Sequence, residues 1–518
     1  METTIFPLIF AVPLVAAPVI YLTGRLGWRL NKPILEKMAG WLSVFAFLIS
    51  GIILILAIQQ YNASGPQTVM AEAIALRFDG LSILLAVVAL GLGSLVAFYS
   101  LAYMKGEAGA EKYYAMLAAM VGVMIGLGCA GDLFNLWVWF EAMAVSSYLL
   151  VVFYRAQPAS LEAGVKYVIQ SAAGSVLVLL AIALVLMQTG TVTLTEIAQE
   201  ATAVPVLLAA GALFVIGFGV KAALAPLHTW LPDAHMQAPS GISAMLSGVV
   251  IEAGLIAMLR ALGPLTGING RGYPAATWGW ILIGVGALNM LVGNLMALKQ
   301  TQVKRLLAYS SVSQMGYILF GTGVALYAGQ LAGAQGGMFH LLNHSLMKGL
   351  AFLAVGALMF AVSQAHLPGA VDSSHAPMTI AEMGGAAQRF PLVALALSLA
   401  VLGLAGLPPL AGFMSKWQVF VAGFDTRSLV ITLLVIFAAL NSVLSLAYYA
   451  PLVNSVYKRK MTPSMQNAAT ISWTISLPLA LLALGVVVLG LWPSLAQWLT
   501  SAAGKAILGS FGLGTFGW

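Results

Sequence analysis

Residues 132–153 read DLFNLWVWFEAMAVSSYLLVVF, an apolar run long enough to cross a lipid bilayer as one α-helix. A single carboxylate, Glu141, interrupts the interior of this run. A charged side chain at the centre of a membrane helix costs about 2.5–3.5 kcal/mol on insertion scales, so such residues are rare and commonly functional. The stretch therefore predicts a membrane-spanning helix, and it predicts that Glu141 faces a protein-lined or hydrated interior.

The composition of the whole chain extends this pattern. Of 518 residues, 61% are hydrophobic and 8% are charged, and the mean hydropathy is +0.97. A soluble protein of this length could hardly dissolve with so few charges, so the chain is predicted to be an integral membrane protein. The first apolar run follows METT without a basic segment, and we expect it to be a retained helix and not a cleaved signal peptide.

Long apolar runs predict an all-α protein with about 14 membrane-spanning helices. The predicted spans are 3–23, 34–58, 79–103, 111–130, 132–154, 159–188, 203–235, 239–263, 274–298, 300–325, 332–362, 390–424, 428–456 and 470–493. Fifteen Lys and Arg residues fall at the connections on one side and five at those on the other, which predicts a cytoplasmic first side and outward-facing termini. The net charge of +7 thus reflects orientation, and nucleic acid is not an expected partner.

Three of the 23 basic residues lie inside apolar spans and belong to neither side. These are Lys221, Lys348 and Lys416, and the carboxylates Glu141 and Glu252 lie at similar depth. Such groups must face a hydrated or protein-lined interior, pair with one another or be neutral, and all three outcomes place them away from lipid. A purely structural pair of Glu141 with Lys221, or a structural Lys348, is the alternative reading.

Prolines stand beside two of these lysines. Pro226 comes five residues after Lys221, whereas Pro408 and Pro409 precede Lys416. Proline removes a backbone donor and crowds the preceding turn, so each helix is expected to break or kink beside its lysine. Broken helices inside membranes line cavities, and ion pathways are commonly built there. The opposite order of lysine and proline in the two halves favours an inverted repeat.

A third polar feature is the run HLLNHSLMKG at residues 340–349. His340, His344 and Lys348 recur every four residues and therefore share one helix face. Two histidines at this spacing can share a metal ion, but no third ligand is evident and the lysine would repel a cation. We therefore expect no metal here. A polar relay face fits better, because imidazole titrates near neutral pH.

Further polar residues lie near predicted helix ends. Asp132, His228, Asp233 and His235 can be capping or interface residues. A set of candidate proton-access or helix-break residues comprises Pro226, His228, Asp233, His235, Pro408 and Pro409.

Five motifs together resemble the antiporter-like subunits shared by respiratory complex I, membrane-bound nickel–iron hydrogenases and multisubunit Mrp Na⁺/H⁺ antiporters. They are DLFNLWVWFE, KAALAPLHTWLPDAHMQAPSGISAMLSG, VKRLLAYSSVSQMGY, HLLNHSLMKGLAFL and GLPPLAGFMSKW, within a match over residues 70–425. The residues of these motifs resemble the Mrp D-type and hydrogenase-type branch more than complex I itself.

The resemblance implies helices 1–3 in residues 1–110, inverted five-helix repeats in 111–265 and 270–457, and helix 14 with a tail in 458–518. Helices 7 and 12 would be the broken ones. By resemblance, Glu141 on helix 5 pairs with Lys221 on helix 7, helix 11 carries the histidine face, and Lys416 ends the row on helix 12. Glu252 departs from many relatives, which carry lysine or histidine on helix 8. This carboxylate can act as a second negative pole for Lys221, or stay protonated and pass protons itself.

The function implied by the resemblance is proton translocation by a non-redox subunit of a multisubunit complex. Its relay would be Glu141, Lys221, Glu252, His340, His344, Lys348 and Lys416. We expect a redox-driven complex of the NADH- or ferredoxin:quinone oxidoreductase or membrane-bound hydrogenase type. The alternatives are the D-type subunit of an Mrp antiporter, which also exchanges Na⁺, and a passive scaffold.

The sequence contains no cysteine cluster, nucleotide-binding glycine loop or nucleophile motif, so no cofactor and no catalytic centre in this chain are expected. The expected partners are other membrane subunits, H⁺ and the lipid bilayer. The expected location is a prokaryotic inner membrane.

Overall fold

Helices make up most of the chain that the structure describes, and the predicted all-α membrane class is confirmed. The computed structural model describes residues 5–71, 74–268, 271–365 and 377–514. The helices are α1 Pro7–Arg29, α2 Pro33–Ser64, α3 Gly80–Tyr103, α4 Ala110–Gly128, α5 Leu133–Val151, α6 Pro158–Thr189, α7 Leu194–Glu200, α8 Pro205–Lys221, α9 Trp230–Gln237, α10 Ser240–Met245, α11 Ile251–Leu262, α12 Ala275–Ala297, α13 Val303–Ala328, α14 Leu331–Ser363, α15 Pro391–Ala405, α16 Ala411–Asp425, α17 Leu429–Val456, α18 Pro463–Asn467, α19 Trp473–Leu491 and α20 Gln497–Ser510.

Parts of three predictions lie outside the described residues. They are residues 1–4 and 72–73 of the predicted segment 1–110, residues 270 and 366–376 of the second predicted repeat, and residues 515–518 at the end of the tail.

Eleven helical segments of the described chain are long and apolar enough to cross a membrane. The predicted spans 203–235 and 390–424 are each divided into two shorter helices. Helix α13 is long enough to cross a membrane, but it is not one of the eleven sufficiently apolar segments. Apart from Arg305, the charged and hydroxyl- or amide-bearing residues of α13 are nevertheless mostly buried, so they face neighbouring helices and not lipid. The number of fourteen spans stays a prediction.

Prolines and capping residues decide where many helices begin. Six α-helices of the described chain begin with a proline as their first residue, where its missing N–H would have no intrahelical partner. Asp79 caps α3 by accepting hydrogen bonds from the backbone N–H groups of Leu81 and Ser82. Asp132 caps α5 by accepting from the backbone N–H of Asn135 at 2.6 Å. Asp132 is therefore a capping residue, as its position near a helix end suggested.

Both predicted helix breaks are present. The first lies between α8, which ends at Lys221, and α9, and it contains Pro226. The second lies between α15 and α16 and contains Pro408 and Pro409. The peptide bonds that precede Pro226 and Pro409 are cis. A third irregularity, a π-helical turn at Leu246–Val250 between α10 and α11, was not predicted.

A β-hairpin between α2 and α3 was not predicted either. Its strands are β1 Gln67–Ala71 and β2 Ile74–Phe78, which pair antiparallel. Backbone hydrogen bonds from Arg77 N–H to Cys129 C=O (2.7 Å) and from Gly131 N–H to Ala75 C=O (2.8 Å) fix the hairpin over the junction of α4 and α5. At the other end of the sequence, α20 packs against α3 and α14.

Three basic residues assigned to the connections are buried. Arg77, Arg260 and Lys304 are 6%, 5% and 3% exposed, so they are enclosed by neighbouring segments and do not face solvent. Arg260, on α11, binds Asp79 through two hydrogen bonds of 3.2 and 2.9 Å, and Arg77 contacts the same carboxylate at 3.0 Å. This ionic cluster joins α11 to the start of α3.

Candidate functional site

The predicted relay residues come from five helices, namely α5, α8, α11, α14 and α16. Six of the seven are almost completely enclosed by protein, and these are Lys221, Glu252, His340, His344, Lys348 and Lys416. For these six residues, the expectation that they lie away from lipid agrees with the structure. The seventh, Glu141, is only half-buried.

Lys221 ends the first half of the first broken helix and binds hydroxyl groups of α6. Its Nζ donates to Tyr167 Oη at 2.8 Å and to Ser171 Oγ at 3.4 Å, and it lies 4.3 Å from the centroid of the Tyr167 ring. Tyr167 also stacks on Trp230, with ring centroids 4.0 Å apart. The amine is thus held by an aromatic and hydroxyl pocket.

Sequence reasoning missed this pocket. Tyr167, Ser171 and Ser175 recur every four residues along α6, a spacing that places them on one face. That polar stripe is the signal that could have found them.

Glu141 and Lys221 do not form a direct ion pair. Among the described residues, no contact within 4.0 Å joins the two side chains, although Glu141 interacts electrostatically with Lys221. Oε1 of Glu141 is buried and has no hydrogen-bond partner in the described part of the chain. The direct pairing that the resemblance implied is therefore not present in this conformation.

Glu141 lies on the outward face of α5. The exposed apolar residues of this helix are Phe134, Val138, Val145 and Leu149, and Glu141 falls on the same stripe by helical spacing. Glu141 is thus partly exposed on this face of the isolated chain, although its Oε1 is buried. Its carboxylate is at the rim of the row.

Glu252 and His344 make a direct contact between α11 and α14. His344 Nδ1 lies 2.8 Å from Glu252 Oε1, and both side chains are fully enclosed. Oε2 of the glutamate and Nε2 of the histidine have no partner among the described residues. Glu252 therefore contacts the histidine face, and no ion pair within 4.0 Å joins it to Lys221 in the described chain.

His340 connects α14 to the second broken helix. Its Nδ1 lies 2.8 Å from Ser415 Oγ on α16, and its Nε2 lies 3.1 Å from Gln314 Oε1 on α13. The Gln314 amide donates in turn to the carbonyl of Leu404 at the end of α15. Gln314 was not predicted, because nothing in its own stretch of sequence indicates what it faces.

The two remaining lysines bind backbone carbonyls and hydroxyl groups. Lys348 Nζ donates to the carbonyl of Leu307 at 2.7 Å and also contacts Ser310 Oγ.

Lys416 Nζ donates to the carbonyl of Leu404 at 2.7 Å and to Ser442 Oγ at 2.8 Å. Carbonyls at the end of a helix lack intrahelical partners, so the break between α15 and α16 supplies an acceptor for this lysine.

Asn289 on α12 stabilises the first break from the other half of the chain. Its Oδ1 accepts from the backbone N–H of Ala225 at 2.8 Å, and its Nδ2 donates to the carbonyl of Ala223 at 3.3 Å. At the second break, Asn343 Nδ2 donates to the carbonyl of Ala411 at 2.9 Å. Asn289 thus satisfies backbone groups that the first break releases, a requirement inside a membrane. Asn343 joins α14 to the start of α16.

The candidate access residues of the first half separate into a buried group and a surface group. His235 is fully enclosed, stacks on Phe352 with centroids 4.6 Å apart, and interacts electrostatically with Lys304 and Lys348. Neither of its ring nitrogens has a hydrogen-bond partner in the described chain. Lys304 donates to the carbonyl of Ala238 at 2.6 Å and lines a cavity of about 80 Å³.

The surface group contains Asp233, which contacts Lys166 at 2.9 Å and Arg305 at 3.4 Å. Asp233 is thus part of an ion cluster at an interface between helices. His228 belongs to the buried group, since it is 6% exposed and lies near Tyr309, with ring centroids 6.0 Å apart.

Comparisons with known proteins agree with this architecture. A family model described as "NADH:quinone oxidoreductase/Mrp antiporter, TM" matches residues 130–445, and one described as "NADH-Ubiquinone oxidoreductase (complex I), chain 5 N-terminus" matches residues 70–114. The chain is 33% identical over 435 residues to F(420)H(2) dehydrogenase subunit N of Methanosarcina mazei, covering 82% of this chain and 83% of that protein.

Two solved structures have the same fold over nearly the whole chain. A chain of the membrane-bound sulfane sulfur reductase, an archaeal respiratory membrane complex, superposes with a TM-score of 0.84 at 27% identity and covers 98% of both chains. A chain of the Mrp complex from Dietzia sp. DQ12-45-1b superposes with a TM-score of 0.82 over 98% of both chains, at 22% identity, a likeness that concerns the fold alone.

Proposed function

Because the chain belongs to the NADH:quinone oxidoreductase/Mrp antiporter family of membrane proteins, we propose that it translocates protons as a non-redox subunit of a redox-driven multisubunit complex. The observation that carries this proposal is the buried row of ionisable side chains, and above all the contact of Glu252 with His344. A structural core has no need of so many enclosed charges, because each one loses its hydration.

We propose that the row runs from Glu141 through Lys221, then through Glu252 and the α14 face, to Lys416. Glu141 acts on Lys221 electrostatically. While its carboxylate is ionised it stabilises the ammonium form of the lysine, and when it is neutralised that stabilisation is lost. The proton of Lys221 then moves along the row.

Hydrogen-bonding atoms that lack partners in the described chain support proton transfer along this row. Oε2 of Glu252 and Nε2 of His344 are enclosed and lack partners within the described residues, so a connecting water molecule would bond to these two atoms. His340 continues the row to Ser415, which neighbours Lys416 on α16. Lys416 is the proposed last group of the row.

We propose that a neighbouring membrane subunit covers the exposed face of α5. A half-buried carboxylate on an otherwise apolar stripe is unfavourable in lipid but suits an interface where a partner supplies polar groups. Family membership supports this arrangement, because the relatives described above are subunits of multisubunit membrane complexes.

Access from one side of the membrane is proposed through Lys304 and His235. The small cavity beside Lys304 is at the end of the bundle where most basic residues lie. His235 interacts electrostatically with both Lys304 and Lys348, which makes it the proposed step between the cavity and the row. We assign this end to the cytoplasm of a prokaryotic cell, with both termini outward, on the basis of the positive-inside rule.

We further propose the domain division 1–110, 111–265, 270–457 and 458–518. The two breaks support it, because each interrupts the fourth helix of a five-helix unit.

The alternative function is that of the D-type subunit of an Mrp Na⁺/H⁺ antiporter, which the fold likeness to the Mrp chain keeps open. The test is to purify the tagged chain from its native membrane, identify the copurifying proteins and reconstitute the complex into liposomes. Redox subunits and proton movement driven by electron transfer are expected. Small membrane subunits alone, with proton movement driven by a Na⁺ gradient, would establish the alternative. Absence of both kinds of proton movement would overturn the proposal.

A further inference from the structure

A cavity of about 410 Å³ opens where α1, α2, α3 and α4 end or begin, away from the relay. It is formed by the end of α1, the start of α2 and the loop between α3 and α4. All of these lie at the end of the bundle where most basic residues are found. The cavity is therefore at a membrane–water boundary and not in the apolar core.

Charges of both signs line this cavity, namely Glu36, Lys37, Lys105, Glu107 and Glu111. Glu107 also interacts electrostatically with Tyr103 and Tyr154. The two lysines, Glu36 and Glu111 form no ion pair within 4.0 Å in the described part of the chain. Two ammonium groups and three carboxylates thus line one space, and a ligand that carries both a phosphate and an ammonium group would match them.

Aromatic and apolar residues continue from the cavity toward the membrane interior. Trp28 and Trp41 line it and are 61% and 43% exposed. Tryptophan is enriched at the level of lipid headgroups. From Trp41, an exposed apolar stripe continues along α2 through Phe45, Leu48 and Ile52 at helical spacing. A polar cavity that opens onto an apolar track has the shape of a lipid site.

We propose that this cavity binds the headgroup of an aminophospholipid of the phosphatidylethanolamine class. Lys37 and Lys105 bind its phosphate, Glu36 and Glu111 bind its ammonium group, and one acyl chain lies along the stripe that begins at Trp41.

The headgroup chemistry selects this class of lipid. A primary ammonium donates charge-assisted hydrogen bonds to carboxylates, whereas a choline headgroup has no N–H to donate. An anionic glycerol headgroup leaves both glutamates unmatched and adds repulsion.

The test uses photoactivatable lipid analogues in native membrane vesicles that contain the full-length chain in its complex. Ethanolamine, choline and glycerol analogues with the same acyl photoprobe are compared, and labelled peptides are mapped by mass spectrometry. The ethanolamine analogue is expected to label residues 24–41 and 101–114 at least fivefold more than the other two. Unlabelled phosphatidylethanolamine should compete, whereas inorganic phosphate should not.

Two sets of variants make the test specific. Lys37→Ala with Lys105→Ala should reduce labelling at least fivefold, whereas Arg29→Ala with Lys112→Ala, which lie at the same end but outside the cavity wall, should not. Glu36→Gln with Glu111→Gln should remove the preference for ethanolamine over glycerol.

Equal labelling by all three analogues, unchanged labelling in the lysine variant, or competition by phosphate alone would overturn the proposal. So would crosslinking of this region to a protein neighbour in place of lipid.

Discussion

His344 Nδ1 lies 2.8 Å from Glu252 Oε1, and in the described chain this is the only direct hydrogen bond between two members of the proposed row. It joins α11, in the first predicted repeat, to α14, in the second. A carboxylate and an imidazole at this distance can share or exchange a proton without an intervening group. Any proton that moves between the halves along the row is expected to pass this pair.

Glu252→Gln removes the ionisable group of this pair and keeps its approximate shape. We expect proton translocation to fall at least tenfold. Glu252→Lys should be worse, because it places a cation against His344 and near the other lysines of the row. The measurement is the initial rate of acidification in inverted membrane vesicles, normalised to assembled complex. If the lysine variant translocates protons as fast as the parent, the glutamate is a neutral substitution and the row does not depend on it.

Lys416 is expected to need a releasable proton. Lys416→Ala should block translocation because the last group of the row is lost. Lys416→Arg should also fail, because a guanidinium remains charged under all working conditions. Translocation rates in vesicles, compared with electron transfer by the same preparation, measure both variants. Full activity of the Lys416→Arg variant would show that this position needs only a fixed positive charge and releases no proton.

Tyr167→Phe should weaken the position of Lys221 without removing any member of the row. A hydrogen bond to a charged group contributes about 1.5–3 kcal/mol, so the correctly placed amine is expected to be about 10–100-fold less populated. Tyr148→Phe is the matched control, since Tyr148 lies beside Tyr167 but is only half-buried. A fall in translocation that is equal in both variants would show that Tyr167 acts only through packing.

Asp79, which caps the start of α3, makes stability depend on pH. Burial raises the pKa of this carboxyl, but the charges of Arg260 and Arg77 outweigh burial and hold the pKa below its ordinary value. Because the folded pKa is below the unfolded one, about 3.9, the stabilisation is complete above that pH and is lost as the pH falls through the folded value.

Asp79→Asn should therefore lower stability at pH 7, by about 3–5 kcal/mol for a broken buried pair, and should flatten the loss of stability in acid. Thermal unfolding of the purified protein from pH 7 downward measures both effects. Asp425→Asn, at an exposed site, is the control. An Asp79→Asn variant that unfolds at the parental temperature at pH 7 contradicts this account.

The helices and their two breaks could be predicted because their causes are local. An apolar run of bilayer length forms a helix, and the prolines beside Lys221 and Lys416 mark its two breaks. Proline alone does not decide a break, since Pro13, Pro18, Pro451 and Pro478 lie inside continuous helices. The intramembrane charges could be found for the same reason, because each is costly in its own stretch of sequence.

The partners of these charges could not be predicted, because they come from other helices. Gln314 and Asn289 are ordinary residues in their own segments, and only the packing of α13 and α12 brings them to the row or its breaks. The stripe that contains Tyr167 marks a polar face of α6 but does not indicate that this face meets Lys221. The exposure of Glu141 escaped prediction for a related reason, since a sequence gives the depth of a residue but not the direction it faces.

The most direct test of the central claim replaces Glu141, which begins the proposed row, with glutamine. Proton translocation in vesicles is measured beside the amount of assembled complex, with Glu200→Gln, an exposed glutamate outside the row, as the control. The account predicts that Glu141→Gln abolishes translocation while assembly and the control remain at parental levels. Translocation by Glu141→Gln at the parental rate would contradict it.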